Sequence, residues 1–258
     1  MASTAKVAMV TGATGVIGGA IARGLRERGY TVILAGRDPV RTRWQAKALG
    51  AGTRTELVDV SRRTWIRAMG RRFDGPLDVL INNAATTPQT REQTPEGIEL
   101  QWATNVLGYL WMVDALEPAL RRAPAPRVGN IASYWAGDLD LEDPEFKRRP
   151  YDNDTAYRSS KQADRMLTVA LAEALRPAGI TVNACHPGDL PSTLARNLGF
   201  GGSDTPEQAA ATPLMLATDP TLADTSGAWF QDQREVKCHF GRDRAGVNAL
   251  MARLAQWR

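Results

Sequence analysis

The chain has 258 residues, of which 43% are hydrophobic and 23% are charged, and its formal net charge is +4. That length suffices for one large α/β domain with a buried core. The arginines behind the charge are scattered among acidic and apolar segments, which argues against a nucleic-acid-binding face, and no apolar run reaches the roughly 18 residues that a membrane span needs.

The N-terminal stretch MASTAKVAMVTG carries one lysine and a short apolar run that ends in glycine. This pattern favours a first β-strand over a signal peptide. The two cysteines, Cys185 and Cys238, are far apart and show no spacing typical of a metal site or a disulfide framework. Together these features predict a cytoplasmic protein.

Short apolar runs alternate with longer amphipathic segments along the chain. Six runs are typical of buried strands, because they are short, mostly rich in β-branched residues and bounded by glycine, proline or aspartate. They are residues 7–10, 31–36, 55–60, 77–82, 127–133 and 180–185. Between the last two, residues 155–176 repeat apolar residues at helical spacing. The alternation predicts a doubly wound parallel sheet of about seven strands with helices on both faces.

The stretch TGATGVIGG, from Thr11 to Gly19, follows the first predicted strand and precedes a predicted helix. Glycines let such a turn bend tightly and let a pyrophosphate approach the backbone, while the helix N-terminus offers unpaired N–H groups. A turn without a ligand is the alternative. The stretch therefore predicts a single-domain Rossmann fold over residues 1–258. The predicted phosphate-binding residues are Gly12, Thr14, Gly15, Val16, Ile17 and Gly18.

The end of the second predicted strand distinguishes NAD(H) from NADP(H). An NAD site usually places an acidic residue there to bind the ribose 2′-hydroxyl, whereas this chain has Arg37 followed by Asp38. A guanidinium forms paired, charge-assisted hydrogen bonds with a 2′-phosphate, so NADP(H) is favoured. The alternative is a solvated Arg37 with Asp38 on the ribose. Asp59, which ends the third predicted strand, is a candidate partner for the adenine amino group.

Tyr157 and Lys161 stand four residues apart on one predicted helix, in the segment TAYRSSKQAD. A neutral tyrosine can donate a proton to a forming alkoxide, although its ordinary pKa near 10 is high for work at neutral pH. A lysine ammonium nearby lowers that pKa. Many helices contain a tyrosine and a lysine at this spacing by chance, so the pair needs support from other motifs.

That support comes from a series of motifs in one order. They are the glycine turn, Asp59-Val60, NNAA at 82–85, Asn105 in ATNVLGYL, Ser133 in GNIAS, YRSSK, and HPG at 186–188. In this order they resemble the short-chain dehydrogenase/reductase family over nearly the full length of the chain. The resemblance implies an NADP-dependent oxidoreductase that transfers hydride between NADPH and the carbonyl or alcohol group of a small molecule.

The resemblance also implies roles for the matching residues. Tyr157 is the general acid/base, Lys161 lowers its pKa and binds the nicotinamide ribose, and Ser133 holds the substrate oxygen. Asn105 supports a water that relays protons to Lys161. The other cofactor-binding residues that it implies are Val60, Asn83, Ala84, Ala85, Pro187, Gly188 and Ser192.

An insert, residues 137–154, separates Ser133 from Tyr157 by more than standard family members do. A gap of this length resembles the retinol-dehydrogenase-like and protochlorophyllide-reductase-like branches. Two segments resemble the same branches, VNACHPG and the late SGAWFQDQREV. The insert is expected to border the substrate cleft, with a surface loop of no further role as the alternative. Two departures from the family pattern are Val16, where many members have glycine, and Asp189, where an apolar residue is usual.

A lid is expected over residues 189–204, and its leucines and phenylalanine predict an apolar pocket together with nearby aromatic residues. The predicted pocket residues are Tyr134, Trp135, Tyr151, Asp189, Leu190 and Leu194. The favoured substrate is a ketone or aldehyde of a polyketide-like natural product in bacterial antibiotic biosynthesis. A retinal-like or steroid-like compound is the rival.

Two other functions stay open. The Gly12/Gly15/Gly18 spacing is that of extended family members, epimerases and dehydratases with a sizeable C-terminal substrate domain, but only about seventy residues follow HPG here. A non-catalytic NADP-binding regulator is the second alternative. Since relatives often pair through the helices that hold Asn105 and Tyr157, a homodimer or homotetramer is expected. The amphipathic C-terminal segment 241–258 could pack on the core, on a partner or on a membrane.

Overall fold

The structure is a computed structural model that describes residues 5–258. The first four residues, part of the stretch for which no signal peptide is expected, lie outside the described residues. One sheet runs through the described chain in the strand order β3-β2-β1-β4-β5-β6-β7-β8. The strands are β1 (Val7–Thr11), β2 (Thr31–Gly36), β3 (Thr53–Leu57), β4 (Val79–Asn82), β5 (Arg127–Ile131), β6 (Thr181–Cys185), β7 (Trp229–Gln231) and β8 (Arg234–Val236). The first seven are parallel, and the predicted doubly wound Rossmann fold is confirmed.

Helices cover both faces of this sheet. They are α1 (Val16–Glu27), α2 (Pro39–Leu49), α3 (Arg63–Arg72), α4 (Gly108–Leu120), α5 (Asn153–Leu175), α6 (Thr193–Asn197), α7 (Pro206–Thr218), α8 (His239–Arg242) and α9 (Arg244–Leu254). A π-helical turn, Trp102–Leu107, leads directly into α4. Across residues 5–258, no helix is both long enough and apolar enough to cross a membrane.

The two cores follow from the alternation of side chains along the strands. In β1, Ala8 and Val10 join the core under α1 and α7, whereas Met9 joins the core under α3, α4 and α5. All three are fully buried, which explains why strands of this sheet are continuous apolar runs. Burial of a side chain the size of Met9 or Val10 stabilises the fold by roughly 1.5–3 kcal/mol.

The sheet has an eighth strand in addition to the predicted seven or so. β8 pairs antiparallel with β7, and the two are joined by Asp232 and Gln233, whose φ angles are 47° and 60°. Two successive positive φ values are the conformation of a two-residue hairpin turn. Because such turns usually contain asparagine and glycine, this one has no recognisable signal in the sequence.

β3 lies earlier in the chain than the predicted 55–60. It is an edge strand, Thr53–Leu57, that pairs only with β2 among the described strands. Pairing ends at Leu57 opposite Gly36, and the Val58 amide still donates to the Gly36 carbonyl oxygen at 3.0 Å. The chain then turns, which places Asp59 beyond the strand and at the edge of the sheet where the other strands also end.

The insert folds onto the molecule as an irregular loop. The carboxylate of Asp143 accepts hydrogen bonds from the backbone amides of Lys147, Arg148 and Arg149. A second buried carboxylate, Glu145, accepts the Glu99 amide at 3.1 Å. These bonds fix the loop against the segment that precedes α4.

The C-terminal segment packs on its own chain. Val247, Leu250 and Leu254 of α9 are buried in the core that α4 and α5 share, and Trp111 Nε1 of α4 donates to the Trp257 carbonyl oxygen at 2.8 Å. As a result, much of α4 and α5 is covered within the described chain, although Asp154 and Arg158 near the start of α5 keep partly exposed side chains.

Candidate active site

A cleft of about 610 Å³ opens where the strand order reverses between β1 and β4. Ligands of doubly wound sheets bind at this switch point, outside the carboxyl ends of the strands. Every residue predicted to bind the cofactor lines the cleft, and so do Ser133, Trp135, Asp189, Leu190 and Leu194. Asn105, Tyr134 and Tyr151 are the predicted site residues that lie outside this lining.

The glycine turn forms one wall of the cleft. Gly12 has a φ of 63°, and a Cβ built on it would lie 2.8 Å from Ala84 Cα, so β1 and the segment after β4 approach each other closely only because position 12 has no side chain. Gly15 precedes α1 and provides no side-chain cap. The N–H groups of the first helical turn therefore stay free of a capping side chain and suit an anionic ligand. Val16 is 46% exposed, so its side chain is not packed inside the turn.

Thr11 holds the ends of β1 and β4 together. Its hydroxyl oxygen accepts the amides of Asn83 and Ala84 at 2.9 and 3.0 Å, and the Asn83 side chain donates back to the Thr11 carbonyl oxygen at 2.8 Å. These bonds place the Asn83–Ala85 segment beside the glycine turn.

The cleft is basic at the end of β2. One carboxylate oxygen of Asp38 accepts the amides of Val40 and Arg41 at 2.9 and 3.0 Å, so Asp38 caps α2. The Arg41 side chain donates to the Thr14 carbonyl oxygen at 3.3 Å and, like Arg37, lines the cleft. Arg41 was missed in the sequence, although an arginine in the first turn of a helix that follows Arg37 is a recognisable signal.

Tyr157 and Ser133 lie together on the opposite wall. Both are buried, at 7% and 5% exposure, and the Ser133 hydroxyl accepts the Trp135 amide at 3.1 Å. Burial raises the pKa of Tyr157 far above its ordinary value, the hydrogen bond to Ser133 lowers it, and the charge of Asp164 raises it again. A raised pKa favours the protonated phenol, the form that can donate a proton.

Lys161 lies one turn along α5 from Tyr157. Its ammonium donates to the Ile131 carbonyl oxygen at 2.9 Å and to a carboxylate oxygen of Asp164 at 2.8 Å. The ammonium nitrogen is 5.9 Å from the centre of the Tyr157 ring. A positive charge at this distance stabilises a tyrosinate.

Asn105 lies in the π-helical turn behind the cleft wall. Its side chain accepts the Thr86 amide at 2.9 Å and donates to the Ser160 hydroxyl at 3.1 Å. Asn105 is completely buried. It ties the segment after β4 to α5, and its expected role in a water relay stays a prediction.

The far end of the cleft is apolar. It contains Leu190, Leu194, Trp135 and Phe200, and the rings of Trp135 and Phe200 are 4.6 Å apart. Phe200 belongs to the expected lid and Trp135 to the segment after β5, so this ring contact joins the lid to that segment.

Tyr134 and Tyr151 are not on the pocket wall. Tyr134 is 41% exposed and its hydroxyl donates to Asp189 at 2.7 Å, at the rim. The Tyr151 hydroxyl donates to the Pro88 carbonyl oxygen at 2.9 Å and accepts the Gln101 side chain. Tyr151, which was predicted to line the pocket, lies outside it. The insert places its hydroxyl against Pro88, in the segment after β4.

The two ends of the lid are bonded to each other. The Asp189 amide donates to the Asp204 carboxylate at 2.6 Å, and the Asp204 amide donates to the Asp189 carbonyl oxygen at 2.9 Å. Between them Ser192 caps α6 through its hydroxyl. Asn153, in the last part of the insert, donates to the Asn197 carbonyl oxygen at 2.9 Å, so the insert supports the lid from behind and does not line the cleft.

His186 also lines the cleft. Its Nε2 is 3.7 Å from a carboxylate oxygen of Asp189, and its ring stands edge-on to Tyr134 at 4.5 Å. Burial lowers its pKa, while Asp189 acts in the opposite sense. The packing against Tyr134 agrees with a histidine that lines and supports the cleft.

A dinucleotide-sized cleft at the switch point, with a buried tyrosine and lysine on one wall, defines a class of nicotinamide-dependent oxidoreductases. Residues 6–199 match the family model described as short chain dehydrogenase, and the chain belongs to this family. It is 36% identical to a probable oxidoreductase of Streptomyces lividans over 91% of this chain and 87% of the relative. It is 32% identical to retinol dehydrogenase 13 of Mus musculus over 89% and 76%, which places it in the retinol-dehydrogenase-like branch.

Solved structures agree with this placement. A protein from Mycobacterium Paratuberculosis superposes with a TM-score of 0.84 at 27% identity, covering 97% of this chain and 92% of that one. The Pseudomonas aeruginosa RhlG/NADP active-site complex superposes with a TM-score of 0.71 at 29% identity, covering 88% and 95%.

Proposed function

We propose that this chain is an NADPH-dependent reductase that transfers hydride to the carbonyl carbon of an apolar ketone or aldehyde. The observation that carries the proposal is the placement of Tyr157, which is buried beside Ser133 on the wall of the cleft. A tyrosine whose pKa is raised holds its proton until a stronger base, the developing alkoxide, takes it.

The residues of the cleft suit a nicotinamide dinucleotide phosphate. The glycine turn and the uncapped start of α1 fit the pyrophosphate, and Pro187 with Gly188 borders the nicotinamide end. When bound, the cofactor supplies the hydride.

Support for NADP over NAD comes from the basic end of the cleft. Arg37 and Arg41 line it, and Asp38 is engaged in capping α2. Two guanidinium groups suit a 2′-phosphate. The Pseudomonas aeruginosa relative was solved with NADP.

The side chains of the protein position the substrate oxygen and donate a proton to it. The backbone amide of Trp135 holds the Ser133 oxygen, and the hydroxyl proton, which Ser133 shares with Tyr157 without substrate, donates to the substrate oxygen when substrate is bound. Tyr157 gives its phenolic proton to the same oxygen as negative charge develops there. The Lys161 ammonium then stabilises the tyrosinate that remains, while the lid residues Leu190 and Phe200 exclude water.

The substrate class follows from the far end of the cleft. Leucine and aromatic side chains line that end, so an apolar carbonyl compound, such as a polyketide-like or retinal-like ketone or aldehyde, is favoured.

A cofactor and substrate panel tests this function. NADPH and NADH oxidation would be followed with apolar ketones and aldehydes, using the wild-type chain and Tyr157→Phe. We expect turnover with NADPH, and its loss in Tyr157→Phe with NADPH binding retained. Retained turnover in the variant would refute the role of Tyr157. Tightly retained cofactor without net NADPH consumption would favour the epimerase or dehydratase, and NADPH binding with no turnover on any compound would favour the regulator.

A further inference from the structure

A buried ion pair lies behind the tyrosine and lysine of the cleft. Lys161 Nζ is 2.8 Å from Asp164 Oδ2, and the two side chains are 2% and 0% exposed. The ammonium also donates to the Ile131 carbonyl oxygen of β5 at 2.9 Å. An ammonium has three N–H donors, so two are used inside the protein and one is left for the cleft.

Several elements enclose this pair. Tyr109 of α4 lies with its ring centre 5.1 Å from Lys161 Nζ, and its hydroxyl donates to the same Ile131 oxygen at 3.1 Å. Cys185 ends β6 and is fully buried. From residue 5 onward, Lys161 is the one cation within ion-pair distance of Asp164.

The charge of Asp164 reaches the proton donor. Burial is the main cause that raises the pKa of Tyr157 and of Tyr109, and the charge of Asp164 raises both further. Ser133 lowers the pKa of Tyr157, whereas Asp189 and Tyr134 raise it. Asp164 itself has a pKa raised by burial, against which Lys161 acts.

The Lys161 ammonium and the Asp164 carboxylate therefore act in opposite directions on the pKa of Tyr157. The ammonium favours a tyrosinate, and the carboxylate at 2.8 Å from that ammonium offsets part of this attraction. The same carboxylate restrains the ammonium from one side while β5 restrains it from the other.

We propose that Asp164 is a positioning residue that fixes the Lys161 ammonium against β5 and offsets part of the attraction of this ammonium for a tyrosinate at position 157. The inference rests on the proposed reductase function. On this basis Asp164 contributes, together with burial, to the pH at which carbonyl reduction gives way to alcohol oxidation.

The test is the pH dependence of both directions in Asp164→Asn, which removes the charge and keeps the shape. Alcohol oxidation needs the tyrosinate and rises with pH, whereas carbonyl reduction needs the phenol and falls. Without the carboxylate the tyrosinate forms more easily. We expect both midpoints to move to lower pH together, by about one pH unit. Asp164→Leu, which offers Lys161 no acceptor, is expected to lose most of kcat, while Asp164→Asn retains it.

The matched control is Asp224→Asn, the same chemical change at an exposed position, which is expected to leave both midpoints in place. A uniform loss of rate in Asp164→Asn with unmoved midpoints would show a purely structural role and overturn the proposal. Midpoints that move to higher pH would overturn it as well.

A second readout does not depend on turnover. The chain has five lysines, so the Nζ signal of Lys161 can be assigned by NMR with a Lys161→Arg variant. We expect this signal to shift and broaden in Asp164→Asn and to stay unchanged in Asp224→Asn. An unchanged signal in Asp164→Asn would refute the restraint of Lys161, whereas a shifted signal in a chain that reduces no carbonyl compound would refute only the reductase function.

Discussion

The carbonyl oxygen of Gly12 occupies the space that a side chain at Gly18 would need: a Cβ built on Gly18 would lie 2.4 Å from it. The same Cβ would lie 2.7 Å from the Asn83 side-chain nitrogen. The turn and the start of α1 thus meet at van der Waals distance because position 18 has no side chain. Gly15 differs, since a Cβ there would lie 3.3 Å from the Gly12 oxygen.

Gly18→Ala is therefore expected to move the turn and to weaken NADPH binding by at least about tenfold, a loss of roughly 1.4 kcal/mol. Gly15→Ala is the matched control and should lose less, because its φ of −81° suits any residue and its neighbour needs to shift by only a few tenths of an ångström. Fluorescence titration with NADPH gives the two affinities. Equal losses would show that contact of these two positions with the ligand, and not the geometry of the turn, determines the affinity for NADPH.

Arg37 sets the expected preference between the two cofactors. Arg37→Ala should weaken NADPH binding by about tenfold or more and leave NADH binding nearly unchanged, because only NADPH carries the 2′-phosphate. Binding constants for both cofactors test this, with Arg43→Ala as the control since Arg43 is exposed on α2. An equal loss for NADH would show that Arg37 serves another part of the dinucleotide.

Glu99 gives the fold a specific pH dependence. Burial raises its pKa to about 7, although the amides of Gln101 and Trp102 act against this. The folded chain thus holds a proton that the unfolded chain releases at about 4.5. Stability from this group is fully present below that pH and is lost as the pH rises to about 7, by up to roughly 3 kcal/mol.

We expect the free energy of unfolding to fall between about pH 4.5 and 7 in the wild type, and to fall less in Glu99→Gln, which cannot ionise. Urea denaturation at several pH values measures both slopes. Glu142→Gln, at an exposed position of the insert, should keep the wild-type slope. Identical slopes for wild type and Glu99→Gln would show that Glu99 is ionised in the folded chain throughout this range.

Local patterns explain what the sequence alone could predict. The glycine turn, Arg37 and the Tyr157–Lys161 spacing are short-range features, and each lies where its pattern indicates. Contacts between segments that are far apart in the sequence could not be predicted from such patterns. Tyr151 was expected to form an aromatic pocket together with the lid residues, but its hydroxyl donates to the Pro88 carbonyl oxygen outside the cleft lining.

Asp164 was missed for a related reason. A carboxylate on an amphipathic helix is usually solvated, and only the covering by other elements shows that it is buried with Lys161. The β7–β8 hairpin was missed because its turn residues are aspartate and glutamine instead of asparagine and glycine.

The covering of α4 and α5 by α9 bears on how copies of the chain can associate. Leu250 and Leu254 of α9 are buried in the core that α4 and α5 share, so the surface beneath them is closed to a second copy of the chain. Sedimentation should thus give the mass of one chain at micromolar concentration, and specific activity should not change on dilution. A dimer that persists at micromolar concentration would have to form through another surface.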